Sequence, residues 1–252
     1  MARGPERPSG GPQGPGRGRR ELKVHLKAGK GRKSSSRRWL ERQLNDPYVA
    51  EARRQGYRSR SAFKLAEIDD KYGFLTPGAA VVDLGAAPGG WSQVAAERVR
   101  AAEGQGTVVA IDIHAMDAIP GVTILHKDFY DPDAPQSLMA ALPRDGADAV
   151  ISDMAAHATG HRQTDHFQVM GLAEIAIEFA RSVLKPGGTF VAKVQRGGTE
   201  SQLLGELKRD FAAVRHVKPK SSREGSAELY VVATGFRGAP RDGGQPIGSA
   251  AG

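Results

Sequence analysis

The stretch from Val82 to Trp91 reads VDLGAAPGGW and decides the fold class. Its first part is a short apolar run, typical of a buried strand, and its glycines mark a tight turn before a helix. Glycine lets the backbone approach a ligand closely and adopt a positive φ. The N-terminus of the helix then presents unpaired N–H groups, which attract an anion. The stretch therefore predicts a cofactor-binding loop between a strand and a helix.

The spacing of the glycines distinguishes this loop from two common nucleotide-binding loops. Gly85, Gly89 and Gly90 match neither the G-x-G-x-x-G pattern of dinucleotide-binding proteins nor the Walker pattern, which requires Gly-Lys-Ser/Thr. Two interpretations remain open. The loop is either a purely structural turn or a site for S-adenosylmethionine, whose methionine carboxylate would meet the helix N-terminus.

Three acidic residues are predicted at the ends of successive strands beside the loop. Asp83 lies at the end of the first strand, Asp112 ends the second strand and Asp128 follows the third. Ligands bind at the carboxyl ends of the strands in parallel sheets. Asp112 would accept hydrogen bonds from an adenosine ribose and Asp128 from an adenine amino group, whereas each acid alone is also compatible with a solvated loop.

Strands and helices alternate along the rest of the chain. Seven apolar runs predict strands at 79–84, 107–112, 122–125, 147–153, 189–194, 214–217 and 229–233. Helices are predicted at 37–44, after Ser59 or Ser61, and at 91–100, 134–141, 164–184 and 200–210. A turn is predicted at 185–188. This order implies an α/β, Rossmann-like fold, with a mostly parallel seven-stranded sheet, helices on both faces and an antiparallel edge strand.

Composition divides the chain into a folded domain and two tails. Residues 1–36 are rich in Gly, Pro, Arg and Ser, and residues 238–252 in Gly, Ala and Pro, so both are predicted to be disordered. The folded domain is expected at 37–237. Residues 1–38 carry a net charge of +10, more than the +8 of the whole chain. The basic arm is therefore expected to bind a polyanion such as RNA, or else to act as a solubilising tail.

Missing sequence features exclude several classes of protein. The chain has no cysteine, which excludes disulfides and thiolate metal sites and suits a reducing cytosol. It has no apolar run of about 18 residues that could span a membrane, and no apolar stretch of a secretory signal follows its first charges. A cytoplasmic location is expected. His157, His161 and His166 are spaced as loop residues, and no metal site is expected.

Four charged residues form a second group of candidates. Lys193 lies within an apolar strand, where an unpaired charge is costly. Asp153 ends the fourth strand, Glu228 starts the last strand and Lys64 lies on an early helix. The four residues are either catalytic, or Lys193 reaches solvent along its aliphatic stem or forms a structural salt bridge with Glu228.

The motifs around these residues resemble the RlmE (FtsJ/RrmJ) family of ribosomal RNA large-subunit methyltransferases, over about residues 40–236. The stretches that carry the resemblance are SRSAFKL at 59–65, DLGAAPGGWSQ at 83–93, SDMA at 152–155 and ELYVVA at 228–233. The resemblance implies a Lys-Asp-Lys-Glu catalytic tetrad formed by Lys64, Asp153, Lys193 and Glu228. It implies cofactor contacts at Gly89, Trp91, Asp112, Asp128 and Asp153, to which the strand-end argument adds Asp83.

The function implied by the resemblance is S-adenosylmethionine-dependent 2′-O-methylation of a uridine ribose in 23S ribosomal RNA of the large subunit. A monomer that needs no metal is expected. Lys193 would act either as a base or as a charged group that orients the 2′-oxygen. Two other functions remain open: a 2′-O-methyltransferase for transfer RNA or another RNA, and a non-catalytic RNA-binding protein of ribosome assembly. The family often continues Pro-Asn where this chain has Ala156-His157, which leaves the shape of the substrate-side loop open.

Basic and aromatic residues before Lys64 are the predicted RNA contacts. They are Arg53, Arg54, Tyr57, Arg58 and Arg60. Arginines suit phosphate groups, and a tyrosine ring suits stacking on a base. The alternative is a solvated helix face.

Overall fold

The computed structural model describes residues 40–41, 43–155, 161–195, 200–223 and 225–238. The predicted arm at 1–36, nearly all of the predicted tail at 238–252 and the Ala156-His157 departure lie outside these residues. In chain order the elements are α1 (Pro47–Arg54), α2 (Ala62–Tyr72), β1 (Ala80–Leu84), α3 (Gly90–Val99), a 3-10 turn (Ala101–Glu103), β2 (Thr107–Asp112), β3 (Val122–His126), α4 (Ala134–Ala141), β4 (Ala147–Ser152), α5 (Arg162–Val183), β5 (Leu184–Gln195), α6 (Glu200–Asp210), β6 (Phe211–Val217) and β7 (Glu228–Phe236).

The strands form one seven-stranded sheet in the order β3-β2-β1-β4-β5-β7-β6. Strands β1 to β5 pair in parallel. Strand β7 runs antiparallel to both of its neighbours and lies one position in from the edge strand β6. The predicted Rossmann-like fold is confirmed. Chain order reverses between β1 and β4, and ligands bind at this point in doubly wound sheets.

The strand sequences form a buried sheet because both of its faces are covered. All five residues of β1 are buried. On β5, Val191 packs into a core with α2 and α3, whereas Phe190 and Ala192 pack into a second core with α4, α5 and α6. A parallel sheet covered on both faces favours continuous apolar runs, which is the pattern that the sequence shows.

The region after Asp46 contains a helix that was not predicted from the sequence. Residues 43–44 are helical and the chain turns at Asn45, but a new helix, α1, starts at Pro47. The carboxylate of Asp46 accepts a hydrogen bond from the backbone N–H of Tyr48, and a proline suits the first helical position. The Asp-Pro pair was interpreted as a helix stop, whereas it also begins the next helix.

The predicted turn at 185–188 lies within β5 rather than before it. Ala147 pairs with Leu184, but Ala149 pairs with Thr189. The residues 185–188 therefore bulge out of the pairing with β4. The bulge leaves the second half of β5 in register with β4, which carries Lys193 to the carboxyl end of the sheet.

Candidate active site

The loop after β1 depends on glycines at two close approaches. Gly85 has φ +74°, and a Cβ there would lie 2.5 Å from the side chain of Met154. Gly89 caps α3 with φ +106°, and a Cβ there would lie 2.8 Å from the side chain of Ile119. Backbone with a positive φ and no room for a side chain requires glycine. The loop therefore packs its backbone directly against Met154 and Ile119, where no side chain would fit.

Asp83 is a buried acid directly beneath this loop. Ser92 donates its hydroxyl to Asp83 Oδ2 at 2.6 Å. The other oxygen, Oδ1, is buried and has no hydrogen-bond partner within the described part of the chain. Burial, together with the charges of Asp153 and Asp112, raises the pKa of Asp83 to about 7, although the bond from Ser92 opposes the shift. An unpaired buried acceptor is costly, and a bound cationic group would satisfy it.

The other two strand-end acids lie at the same edge of the sheet. Asp112 accepts hydrogen bonds from the backbone N–H of Ala87 at 2.9 Å and of His114 at 2.7 Å, so it braces the glycine loop. Asp128 is exposed and accepts from the N–H of Tyr130 at 3.0 Å. Each carboxylate oxygen can accept a further hydrogen bond. Both acids therefore remain able to bind a ribose or an adenine amino group.

The side chain of Trp91 lies in the core and not at the surface. Its indole is buried, donates Nε1–H to the Ser61 carbonyl at 2.9 Å and packs 5.5 Å from the ring of Tyr230. The backbone N–H of Trp91 lies in the first turn of α3, which starts at Gly90. A cofactor contact at Trp91 would therefore come from this N–H group and not from the ring.

An open cleft of about 590 Å³ adjoins the glycine loop. It is lined by Ala87 and Pro88 from the loop, by residues 114–117 after β2 and by Arg58. Arg58 donates to the carbonyls of Asp117 and Ala118 at 2.8 Å, and thereby ties the two walls together. Asp112 and the buried Asp83 lie behind this lining and not in it. A loop backbone with two acids close behind it suits a ligand with a carboxylate, an ammonium and a ribose. These are the groups of S-adenosylmethionine.

The four predicted tetrad residues come together as two lysine–carboxylate pairs. Lys193 Nζ lies 2.6 Å from Asp153 Oδ1 and 2.7 Å from the Asp153 carbonyl oxygen. Lys64 Nζ lies 2.5 Å from Glu228 Oε1. Both lysine side chains are 12 % exposed, so each pair reaches the protein surface but is largely shielded from water. The alternative pairing of Lys193 with Glu228, considered from the sequence, is not the one that forms.

A fifth residue, Tyr230, links the two pairs and was missed from the sequence. Its hydroxyl lies 2.7 Å from Asp153 Oδ1 and 3.2 Å from Glu228 Oε1, and Lys64 Nζ lies 3.2 Å from it. Tyr230 faces Lys193 across the β5–β7 pair. The signal was present, because residues two apart on a strand share a face and Glu228 precedes Tyr230 by two.

The lysines determine the charge state of Asp153. Burial by itself would raise the pKa of Asp153. The charges of Lys193 and Lys64, with hydrogen bonds from Lys193 and Tyr230, outweigh burial and lower the pKa of this carboxyl. Burial and the two carboxylates raise the pKa of the Tyr230 phenol well above its usual value. The arrangement therefore holds an ionised aspartate against a lysine, with a neutral phenol beside them.

The predicted RNA contacts differ in what they touch. Arg53 is exposed, and Arg54 is an exposed partner of Glu51. Tyr57 donates its hydroxyl to Glu97 at 2.7 Å. Arg60 is held by Asp46 and the Ser221 carbonyl, and Arg58 braces the cleft. The structure therefore brings Arg58 and Arg60 into intramolecular contacts near the site and leaves Arg53 and Arg54 facing solvent.

A model of the family described as FtsJ-like methyltransferase matches residues 57–236. The chain belongs to the FtsJ-like methyltransferase family. The resemblance stated from the sequence is confirmed, and so is the enzyme class. The matched range of this FtsJ-like methyltransferase contains the glycine loop, both lysine–carboxylate pairs and Tyr230.

Two curated relatives of this FtsJ-like methyltransferase carry the same name. A protein of Nitrobacter hamburgensis named ribosomal RNA large subunit methyltransferase E is 63 % identical over 219 residues, which cover 87 % of this chain and 96 % of the relative. A Xanthobacter autotrophicus protein of the same name is 59 % identical over 231 residues, with 92 % and 89 % covered. A crystal structure from Plasmodium falciparum, assigned as a ribosomal RNA methyltransferase, is 31 % identical with a TM-score of 0.65, and 73 % of this chain and 100 % of that chain are covered.

The described residues contain neither a candidate metal site nor a candidate membrane span. No group of three His, Cys, Asp or Glu side chains that could hold a metal ion occurs among them, and His157 lies outside them. No helix in the described part of the chain is long and apolar enough to cross a membrane.

Proposed function

We propose that this FtsJ-like methyltransferase transfers the methyl group of S-adenosylmethionine to the ribose 2′-hydroxyl of a uridine in 23S ribosomal RNA. One observation carries the proposal: two lysine–carboxylate pairs, Lys193–Asp153 and Lys64–Glu228, lie at the carboxyl end of the sheet near a glycine loop. The names of relatives about 60 % identical support the large ribosomal subunit as the substrate. The protein would act as a monomer, in the cytoplasm, where ribosomes are assembled.

The residues that would hold S-adenosylmethionine surround the loop after β1. The backbone at Gly89 and Trp91 would bind its carboxylate, and Asp83 its ammonium group. Asp112 would accept from the ribose, Asp128 from the adenine amino group, and Asp153 would lie beside the reacting methyl. When bound, this cofactor supplies an electrophilic methyl group on a sulfonium, which leaves behind a neutral thioether.

The lysine pairs would prepare the weak nucleophile, which is a sugar hydroxyl. Asp153 holds Lys193 Nζ by two oxygens, its side-chain Oδ1 at 2.6 Å and its backbone carbonyl at 2.7 Å. Lys193 would then donate an N–H to the 2′-oxygen, orient it in line with the methyl group and stabilise the negative charge that develops as the hydroxyl proton leaves to water. Lys64 would add a second positive charge at the same site.

RNA would reach the site over a basic surface. Lys64 and Glu228 border a recess of about 270 Å³ that Arg60 and Arg223 also line. Arg53 and Arg54 are exposed on α1 nearby in sequence, and we propose that they bind phosphates, with Tyr57, Arg58 and Arg60 shaping the surface. The basic arm at 1–36 would add salt-sensitive affinity.

Mass-spectrometric mapping of ribose methylation tests the proposal. Large ribosomal subunits from cells that lack this gene are incubated with the purified full-length protein and S-adenosylmethionine, beside naked transfer RNA. The expected result is one new 2′-O-methyluridine in 23S RNA. Methylation of transfer RNA alone would indicate a different substrate, and binding to subunits without any transfer would indicate an assembly protein; either result contradicts the proposal.

A further inference from the structure

Tyr230 lies between the two lysine–carboxylate pairs and contacts both of them. Its hydroxyl is 2.7 Å from Asp153 Oδ1 and 3.2 Å from Glu228 Oε1, and Lys64 Nζ lies 3.2 Å from the same hydroxyl. We propose that Tyr230 is a positioning residue for methyl transfer, which couples the Lys64–Glu228 pair to Asp153 and holds Asp153 against Lys193. This inference rests on the proposed function and adds a fifth residue to its site.

The direction of the hydrogen bonds follows from the chemistry of a phenol. A tyrosine hydroxyl has one proton to donate and lone pairs that accept. The contact with Asp153 is shorter than the contact with Glu228, so the proton points at Asp153. Lys64 donates to the phenol oxygen from the other side. A chain of donors therefore runs from Lys64 through Tyr230 to Asp153.

The strand register places Tyr230 between the two lysine–carboxylate pairs. Tyr230 lies directly opposite Lys193 in the antiparallel β5–β7 pair, and residues in that relation place their side chains on the same face. The ring of Tyr230 is buried, and it packs against Trp91 at a centroid distance of 5.5 Å. Burial leaves the ring one orientation, so the hydroxyl is held at the junction before any substrate arrives.

The pKa of Asp153 can be measured to test the proposal, because a purely packing role of Tyr230 would leave it unchanged. Hydrogen bonds to a carboxylate stabilise its ionised form, and the bond from Tyr230 is one of the causes that lower the pKa of Asp153. Removing the hydroxyl should therefore raise this pKa. The charged and titratable groups that face Asp153 from β1, β5, β7 and α2 are Asp83, Lys193, Glu228, Tyr230 and Lys64.

The test compares Tyr230→Phe with Tyr72→Phe, which removes a phenol from the end of α2, outside the site. For each full-length protein, kcat and KM for large subunits are measured across pH, together with the affinity for S-adenosylmethionine and the carboxyl pKa of Asp153 by carbon NMR. Tyr230→Phe should keep the cofactor affinity and KM, lower kcat about tenfold and move the acid limb of kcat to higher pH. Tyr72→Phe should behave as wild type.

An unchanged kcat and acid limb in a folded Tyr230→Phe variant would overturn the proposal. Wild-type activity is measured in parallel, so an inactive wild type refutes the proposed function, whereas the NMR pKa of Asp153 still decides the coupling. If Tyr230→Phe melts below the assay temperature, 3-fluorotyrosine is incorporated instead. This phenol is a stronger donor of nearly the same shape, and it should lower the Asp153 pKa; no change would overturn the coupling.

Discussion

Lys193 is held by Asp153 through two different oxygens, the side-chain Oδ1 at 2.6 Å and the backbone carbonyl at 2.7 Å. Because Asp153 directly follows β4 and Lys193 lies on the neighbouring strand β5, the contact joins the ends of two central strands. A lysine held at two points loses little further freedom when it meets a substrate. A catalytic group that is preorganised in this way needs little rearrangement during the reaction.

Lys193→Ala should abolish most methyl transfer and leave cofactor binding intact. Lys193 is held by Asp153 at the end of β4, so the affinity for S-adenosylmethionine measured by calorimetry should change less than about threefold, whereas kcat should fall by about 10²–10⁴. Lys185→Ala is the matched control, because Lys185 lies on the same strand at the opposite end and pairs with Asp145 and Asp148. Turnover by Lys193→Ala within a factor of ten of wild type would contradict the role.

Asp83→Asn should flatten the pH dependence of stability in the cofactor-free protein. The pKa of Asp83 is raised from 3.8 to about 7. Between these values the folded protein keeps a proton that the unfolded chain has lost, so the free energy of unfolding falls as pH rises from 4 to 7 and the contribution is gone above 7. At about 1.4 kcal/mol per pKa unit, the loss amounts to about 4 kcal/mol.

Urea unfolding between pH 4 and pH 8 measures this effect. The wild type should lose stability over that range, and Asp83→Asn should lack this part of the slope. The comparison uses slopes because the asparagine amide is itself buried and lowers stability at every pH. The same slope in both proteins would show that Asp83 titrates normally.

Glu67→Ala should loosen the chain segment that leads to Glu228. The Glu67 carboxylate on α2 accepts the backbone N–H groups of Lys220 and Ser221 at 2.5 Å and 3.0 Å. Losing them should cost about 1–3 kcal/mol of unfolding free energy and speed amide hydrogen exchange at 220–223.

The effect on activity in the Glu67 variant is indirect. We expect kcat to fall by about tenfold or less, since Glu228 stays paired with Lys64 but its loop is less firmly held. Glu103→Ala, an exposed acid after α3, is the control. Unchanged exchange at 220–223 would show that the two hydrogen bonds do not hold this loop.

Replacing both Arg53 and Arg54 by Ala should weaken RNA binding in a salt-dependent way. Each lost phosphate contact lowers the slope of log K against log salt concentration by about 0.7–0.9, so the slope should fall by about 1.5. The matched control replaces Arg144 and Arg209, which are exposed and precede the amino ends of β4 and β6. Equal slopes in the two double variants would mean that α1 does not bind the RNA backbone.

Prediction from the sequence was accurate where the signal is local. The bounds of β2 and α4 coincide with the predicted ones, because an apolar run or an amphipathic helix is coded by neighbouring residues. The helix at Pro47–Arg54 was missed, since Asp46-Pro47 both ends one helix and begins another. The predicted turn at 185–188 became a bulge in β5, because pairing with β4 resumes only at Thr189.

The strand-end acids were predicted from residue type and order, and the tetrad from the family resemblance. Neither predicted the distances between these residues. Parallel strands end at one edge of a sheet, so the sequence could predict that Asp83, Asp112 and Asp153 meet there. It could not tell which carboxylate pairs with which lysine, because Lys64 and Glu228 are 164 residues apart and touch only once α2 packs on β7.

The sequence by itself determined the order of strands and helices, the glycine loop and the acids at the carboxyl ends of the strands, because each depends on nearby residues. Tertiary structure alone decided that Trp91 turns its ring into the core, that Arg58 braces the cleft and that Tyr230 joins the two ion pairs. These outcomes depend on side chains from distant strands and helices that share one small buried volume, and short-range sequence patterns carry no information about that packing.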